Sequence, residues 1–395
     1  MFIIASLRAS FFVPAITLIQ LGIFVITPAY IDTQTALVEL CHHYQTSAVL
    51  AIDTEFVRER TFHAALGLIQ VYDGERLALI DPVAIDDLSA FWALLTNESI
   101  MKVIHAGSED FEVFKHNGQC VPSPVLDTQV AAALIGLGSS LGYAKLVQEF
   151  CDIELDKGES RTNWLKRPLS DAQLSYAAND VIYLYRLYKP LLARVEEANR
   201  LEICLEESTR LANRTVVRPP MKKYLDISNA WQLNAVQLSA LQQLCEWRFA
   251  KAVAKDMALG FVVKDNELFN IAKAMPQSKS QLYGMESLHP MVIKRHHQDI
   301  LAAVAAGKAN KTPPPALTRL IDYPQYKQKF KAIKALIAEV AQTHDIPPEM
   351  IASKKLIHEV LTQLWKAEGE QLEHEPVLRS GWRKALVENQ LVKLL

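Results

Sequence analysis

The sequence predicts a mixed α/β sheet flanked by helices, followed by two all-α helical modules. Three observations carry that reading. Residues 31–215 alternate β-rich runs with helical patterns, no strand signal of any strength follows Val263, and the charge divides in the same way. A net charge of −2 hides 16 Lys and Arg against 27 Asp and Glu over residues 31–215, a net of −11. Residues 216–395 carry 25 against 17, a net of +8. An acidic front half suits a site that gathers carboxylates around cations, and a basic rear half suits a polyanionic partner. Uneven solvated surfaces would give the same counts.

The elements follow in order. At 395 residues and 50% hydrophobic, the chain can bury the cores of two or three domains. Residues 1–26 stand apart: nearly continuous apolar sequence, charged only at Arg8 and interrupted by Pro14. A membrane anchor, a secretory signal and upstream sequence translated from a wrong start all stay open. The character of the rest favours the last, so this leader is expected to lie outside the fold, with no membrane partner. Cys41, Cys120, Cys151, Cys204 and Cys245 form no CxxC pair, which argues against a disulfide framework and suits a reducing cytoplasm.

Residues 48–56 are an apolar β-rich run ending in acids, and the runs 66–72 and 77–80 flank Asp73-Gly74, a hairpin signal. Residues 103–106 read as a short buried strand leading into a helix over 109–116, and 125–128 as another strand. Helical patterns run through 131–135, 143–151 and 171–193. Arg218-Pro219-Pro220 breaks the pattern and marks the linker. The domains are therefore expected at 27–215, 216–310 and 316–395, with Pro313-Pro314-Pro315 before the last. Leu238, Leu241, Leu244 and Trp247 in the first rear segment fall at helical spacing and read as core. So do Phe330, Ile333, Leu336, Ile337 and Val340 in the second.

The chemistry concentrates in three places. Asp53-Thr54-Glu55 closes an apolar strand, and two-residue spacing points both carboxylates to one face. Adjacent acids repel unless a cation lies between them, and hard carboxylate oxygens select Mg²⁺ or Mn²⁺. Tyr176 and Asp180 share a helix face by four-residue spacing, although an exposed Asp beside a packed Tyr looks the same. Ser108 and Asp110 stand where a strand end becomes a helix, as a site or as ordinary cap and first-turn acid, with Glu109 and Glu112 easily confused for ligands. The glycine-rich run 136–142 fits no dinucleotide or P-loop spacing and reads as a turn; with no GxxxxGK[ST], no nucleotide cofactor is expected. His42-His43 and His296-His297 lack ligand spacing and read as surface. Lys157 and Arg161 read equally as phosphate contacts or solvated groups, and Lys327, Lys329, Lys331 and Lys334 as a basic surface.

Order and spacing together resemble a family. The segments AIDTEFVRER (51–60), VIHAGSEDFEVF (103–114), LDKGESRTNW (155–164) and YAAND (176–180) resemble the DEDD exonucleases of the ribonuclease H-like fold, most closely the bacterial ribonuclease D family. Residues 230–248, 268–276 and 330–337 resemble paired helicase-and-ribonuclease-D C-terminal (HRDC) modules. The resemblance implies that Asp53, Glu55, Asp110 and Asp180 hold two divalent metal cations, Mg²⁺ or Mn²⁺. It makes Tyr176 the mark of the subclass in which tyrosine replaces histidine in the last motif, and a phenol with an ordinary pKa of about 10 is better cast as orienting the water than as a strong base. His105 and Asp127 lie in family-like segments and are expected in support roles. It further implies 3′→5′ hydrolysis of RNA with a free 3′ end, tRNA precursors above all, by in-line attack of water with two cations sharing the developing charge. A DNA exonuclease of the same superfamily, or a catalytically dead RNA-binding protein, are the alternatives.

Overall fold

The structure, a computed structural model, describes residues 27–155, 158–159, 162–214, 219–366 and 374–395. The leader 1–26, Lys157, Arg161 and Arg218 lie outside the described residues. The chain divides into two compact units. One holds residues up to 57, 66–129 and 142–196; the other holds 58–65, 130–141 and 197–395.

The first unit is built on strands β1 (Ala29–Ile31), β2 (Val49–Val57), β3 (Ala65–Tyr72), β4 (Leu77–Ile80), β5 (Met101–Ile104) and β6 (Val125–Asp127). They form one six-stranded sheet in the order β1-β4-β3-β2-β5-β6. The hairpin signal is realised: β3 and β4 pair antiparallel with Ile69 opposite Ile80 and Val71 opposite Ala78. The Asp73 side chain closes the turn by accepting from the backbone N–H groups of Glu75 and Arg76 at 2.9 and 2.8 Å. Parallel pairs β1–β4, β2–β5 and β5–β6 make the sheet mixed. Leu50, Ala51 and Ile52 of β2 are all fully buried, as a central strand covered on both faces requires.

Helices α1 (Gln34–Tyr44), α2 (Ser89–Leu95), α3 (Ser108–Asn117), α4 (Thr128–Leu134), α5 (Tyr143–Cys151) and α6 (Asp171–Glu197) complete the α/β pattern. The helix α6 lies against the sheet through a small apolar cluster of Leu68, Leu79, Trp164, Leu169 and Ala177, with Tyr176 packed at its side. A charged clamp holds the segment leading into it. The Arg167 guanidinium donates to both oxygens of Asp81 at 2.6 and 2.5 Å and to the Gly67 carbonyl at 2.7 Å. The Tyr30 hydroxyl completes the clamp on Asp81 at 2.5 Å. These bonds are charge-assisted and planar, the geometry in which arginine outperforms lysine. Gly136 and Gly138 take positive φ, as a turn demands.

The second unit carries α7 (Leu201–Asn213), α8 (Ala235–Ala254), α9 (Leu259–Val262), α10 (Asp265–Ala274), α11 (Lys279–Tyr283) and α12 (Pro290–Ala309). It continues with α13 (Tyr326–His344), α14 (Pro348–Ile351), α15 (Lys354–Trp365) and α16 (Gly381–Leu394), and no strand follows β6 among the described residues. Asn234 and Gln237 cap α8 reciprocally. Leu238, Leu241 and Leu244 of α8 join Leu268, Ile271, Ile293 and Ile300 in one core. Each such fully buried side chain contributes about 1.5–3 kcal/mol relative to exposure. Trp247 only edges that core, and Phe330 is half-buried while Ile333, Leu336, Ile337 and Val340 are buried. A buried ion pair ties α7 to α16: Glu207 accepts from Arg383 at 2.6 Å, while Arg210 grips its other oxygen at 2.5 Å.

Two surface assignments need correction. Lys329 is no part of a free basic face, because its ammonium donates to the backbone oxygens of Leu394 and Leu395, each at 2.8 Å; Lys327, Lys331 and Lys334 remain exposed. Of the histidine pairs, His42 is exposed as expected, but the other three are not simply solvated. His43 bonds Asp73 at 2.8 Å, His296 lies edge-on to Trp247, and His297 bonds the Ile293 carbonyl.

Candidate active site

Four elements of the first unit converge. The strand β2 delivers Asp53 and Glu55 from one pleated face, α6 delivers Tyr176 and Asp180 one turn apart, α3 delivers Asp110 from its first turn, and α5 delivers Tyr143. Oxygens of Asp53, Glu55 and Asp180 all lie within 4.8 Å of one another. Asp110 is not in that trio, but it is buried, and its charge bears on both Asp53 and Glu55. The Thr54 hydroxyl, set between the two strand acids, donates to Oδ1 of Asp110. Tyr143 braces the helical side by donating its hydroxyl to the Asp180 backbone carbonyl.

Asp127 explains how α3 presents Asp110. Its carboxylate accepts from the backbone N–H groups of Ala106 at 3.0 Å, Gly107 at 3.1 Å and Gln129 at 2.8 Å. It thereby pins the turn between β5 and α3, in which Ala106 adopts a left-handed φ of 52°. Glycine fits closely there at position 107, since a Cβ would sit 2.5 Å from the Ile104 side chain and force a neighbour to shift. His105 bonds Thr128 at 2.9 Å and packs against the Tyr143 ring. Both residues are thus tied to the segments around the acids, and the chain's spacing gave no hint of their partners.

The electrostatics are those of acids held together without a counter-charge. Burial, then the charges of Asp180, Asp110 and Glu55, push Asp53 well above the carboxylate range. Burial and the charges of Asp180 and Asp110 push Glu55 to about 9. Burial lifts Asp180 to about 7 despite the hydrogen bond from Tyr176. It lifts Asp110 to about 6 against the opposing pull of Thr54. The Tyr176 hydroxyl is itself raised by burial and by the neighbouring carboxylates. Negative groups crowded this closely fit a hard divalent cation, whose charge would reverse every one of these shifts.

An acidic cluster assembled from a strand and helices of a mixed α/β sheet, with helices following in the chain, is the arrangement that the resemblance to exonucleases carrying HRDC modules leads one to expect. Family models agree: residues 28–196 match one described as 3′-5′ exonuclease, 237–304 match the HRDC domain, and 324–391 match the ribonuclease D C-terminal HRDC domain. The chain is 46% identical over 366 residues to ribonuclease D of Shewanella sp. strain ANA-3, covering 92% of this chain and 93% of that one. Against ribonuclease D of Escherichia coli K12 it is 42% identical over 370 residues, covering 92% and 97%. The crystal structure of Escherichia coli ribonuclease D, described as an exoribonuclease involved in structured RNA processing, superposes with a TM-score of 0.90 at 41% identity, covering 94% of this chain and 99% of that one. The chain belongs to the ribonuclease D family and is a hydrolytic 3′–5′ exoribonuclease. No helix among the described residues is long and apolar enough to cross a membrane.

Proposed function

We propose that the protein trims RNA 3′ ends one nucleotide at a time in the cytoplasm, releasing nucleoside 5′-monophosphates, with tRNA precursors and other small structured RNAs as substrates. The observation that carries this reading is the trio of carboxylates whose oxygens lie within 4.8 Å of one another. Asp53, Glu55 and Asp180, with Asp110, would hold two divalent cations, Mg²⁺ or Mn²⁺. Such ions supply an activated water and neutralise charge on the phosphoryl oxygens. The protein's own groups do the rest. An ordinary phenol ionises only at about pH 10, so the Tyr176 hydroxyl is cast as orienting water by donating or accepting a hydrogen bond and is no strong base. Thr54 and Tyr143 hold the carboxylate-bearing elements in register.

The catalytic domain is assigned to residues 27–215 and the two modules to 216–310 and 316–395; the net +8 of residues 216–395 suits RNA capture. RNA and DNA of equal sequence, labelled at the 5′ end and incubated with and without chelator, test the chemistry. RNA should shorten from its 3′ end only with a divalent cation present. Chelator-indifferent cleavage, or DNA cut as fast as RNA, would refute the reading. Sequencing RNA 3′ ends in cells with and without the protein should show tRNA precursors lengthened in its absence.

A further inference from the structure

Within the second unit, the segment 223–229, Arg248 of α8, α9 and the start of α10 wall a cavity of about 750 Å³ that contains none of the proposed catalytic acids, its own acids being Asp226 and Asp265. Its volume falls in the range of small-ligand pockets. Three kinds of surface meet there. Phe269 offers a partly buried aromatic ring. Asn266 and Asn270, four residues apart on one helix, offer paired donors and acceptors. Lys264 and Lys223 bring positive charge.

Arg248 is the built part of this site, being only 4% exposed. Its guanidinium donates to the Val263 carbonyl at 2.9 Å and to Asp265 at 2.6 Å, and its Nε has no hydrogen-bond partner among the described residues. A charge kept this deep is costly alone, and the Asp265 carboxylate compensates it. The bond to Asp265 also neutralises a carboxylate that would otherwise repel an anion. Gly260 completes the wall, and a Cβ built on it meets nothing within 4 Å.

An aromatic face, an amide pair and cationic groups within one pocket match the three parts of a nucleotide. Bases stack on rings, their edges exchange hydrogen bonds with amides, and phosphates take lysine and arginine. We propose that this cavity receives one unpaired nucleotide of the RNA substrate, its base against Phe269 with the edge on Asn266 and Asn270, and its phosphate towards Lys264. The assignment rests on the exoribonuclease reading and adds to it a capture site that the catalytic acids do not supply.

The test measures binding of a fluorescein-labelled 12-nucleotide oligoribonucleotide to the full chain in EDTA, where nothing is cut. Gly260→Phe fills the cavity from a position with room for a side chain, and a double Asn266→Ala, Asn270→Ala variant removes the edge contacts without adding bulk. Each should raise Kd about tenfold, the scale of one lost base–aromatic contact, with an unfolding midpoint close to the parent's. Lys264→Gln should flatten the salt dependence by about 0.7, one phosphate contact to a single strand. A 4-thiouridine cross-link should map to residues 259–270 in the parent and vanish in Gly260→Phe. Parental Kd in both cavity variants, each folded by its melting curve, would overturn the proposal. AMP binding that Gly260→Phe abolishes, with oligonucleotide affinity untouched, would overturn it in favour of a free nucleotide. Shortening of the same oligonucleotide by the parent on adding Mg²⁺ is scored separately, and its failure would sink the enzymatic reading, not the pocket.

Discussion

Asp180→Asn should make the metal-free protein more stable while it abolishes cleavage. In the folded chain the Asp180 carboxyl is pushed from its ordinary 3.8 to about 7, first by burial. A raised folded pKa means that folding opposes ionisation. The penalty is absent below pH ~4, grows as pH rises towards 7, and is complete above it. A shift of about three units corresponds to ~4 kcal/mol as an upper bound. Because Asp53 and Glu55 share the repulsion and would relax together, about half of that, ~2 kcal/mol, is the working figure. For a domain of this size that is a rise of roughly 4–8 °C in Tm. Melting curves in EDTA at pH 4.5 and pH 8 provide the assay, alongside single-turnover cleavage. The gap between variant and parent should open with pH, and Mg²⁺ should raise the parent's Tm far more than the variant's. A variant less stable than the parent at pH 8 in EDTA, or one that still cleaves at the parental rate, would refute the reasoning.

Other outcomes follow from single contacts. Tyr176→Phe should lose on the order of 10²–10³-fold in cleavage rate with little change in RNA affinity, the scale of one catalytic hydrogen bond; unaltered turnover would reduce the ring to packing. Thr54→Val removes the hydroxyl that fixes Asp110 and should cost about tenfold in rate, ~1.4 kcal/mol, while Thr54→Ser retains most activity; equal losses in both would assign Thr54 to strand packing. Glu207→Gln should destabilise the protein by ~3 kcal/mol at pH 7. Burial opposes the Glu207 charge, but Arg210 and Arg383 hold the carboxyl down at about 2 from 4.5. Its contribution is therefore full above pH 4.5 and lost as pH falls towards 2, so denaturant midpoints of variant and parent should converge in acid. Gly107→Ala should lower Tm and cleavage together, because the Ile104 side chain at 2.5 Å from the new Cβ must displace the turn that carries Asp110; a fully active, equally stable variant would contradict the close approach.

What was legible in the sequence is what repeats at short range. Asp53 and Glu55 are two apart on a strand and Tyr176 and Asp180 four apart on a helix, so periodicity alone grouped each pair, and Asp73-Gly74 marked the hairpin. The strand β1 was missed because three residues are too few to show alternation. Thr54, Tyr143 and Asp127 gain their meaning from partners 20 to 56 residues away, across pairings that no local pattern encodes. Lys329 misled for the opposite reason: a run of lysines looks uniformly solvated until one folds back onto backbone oxygens 65 and 66 residues later. The cavity at Arg248 draws on the segment 223–229, α8, α9 and α10, and it too had no linear signature.

The sheet order has a temporal consequence. Glu55 on β2 and Asp180 on α6 belong to one cluster, yet they are 125 positions apart in the order of synthesis. At translation speeds of about 5–20 residues per second, the ribosome makes the first half of the cluster some 6–25 s before the second. Through that interval the nascent chain carries an incomplete set of carboxylates. On the assignment of acids proposed above, an enzyme that destroys RNA thus stays unarmed beside the RNA-rich machine that makes it, until the helix bearing its last acid has been made and has docked.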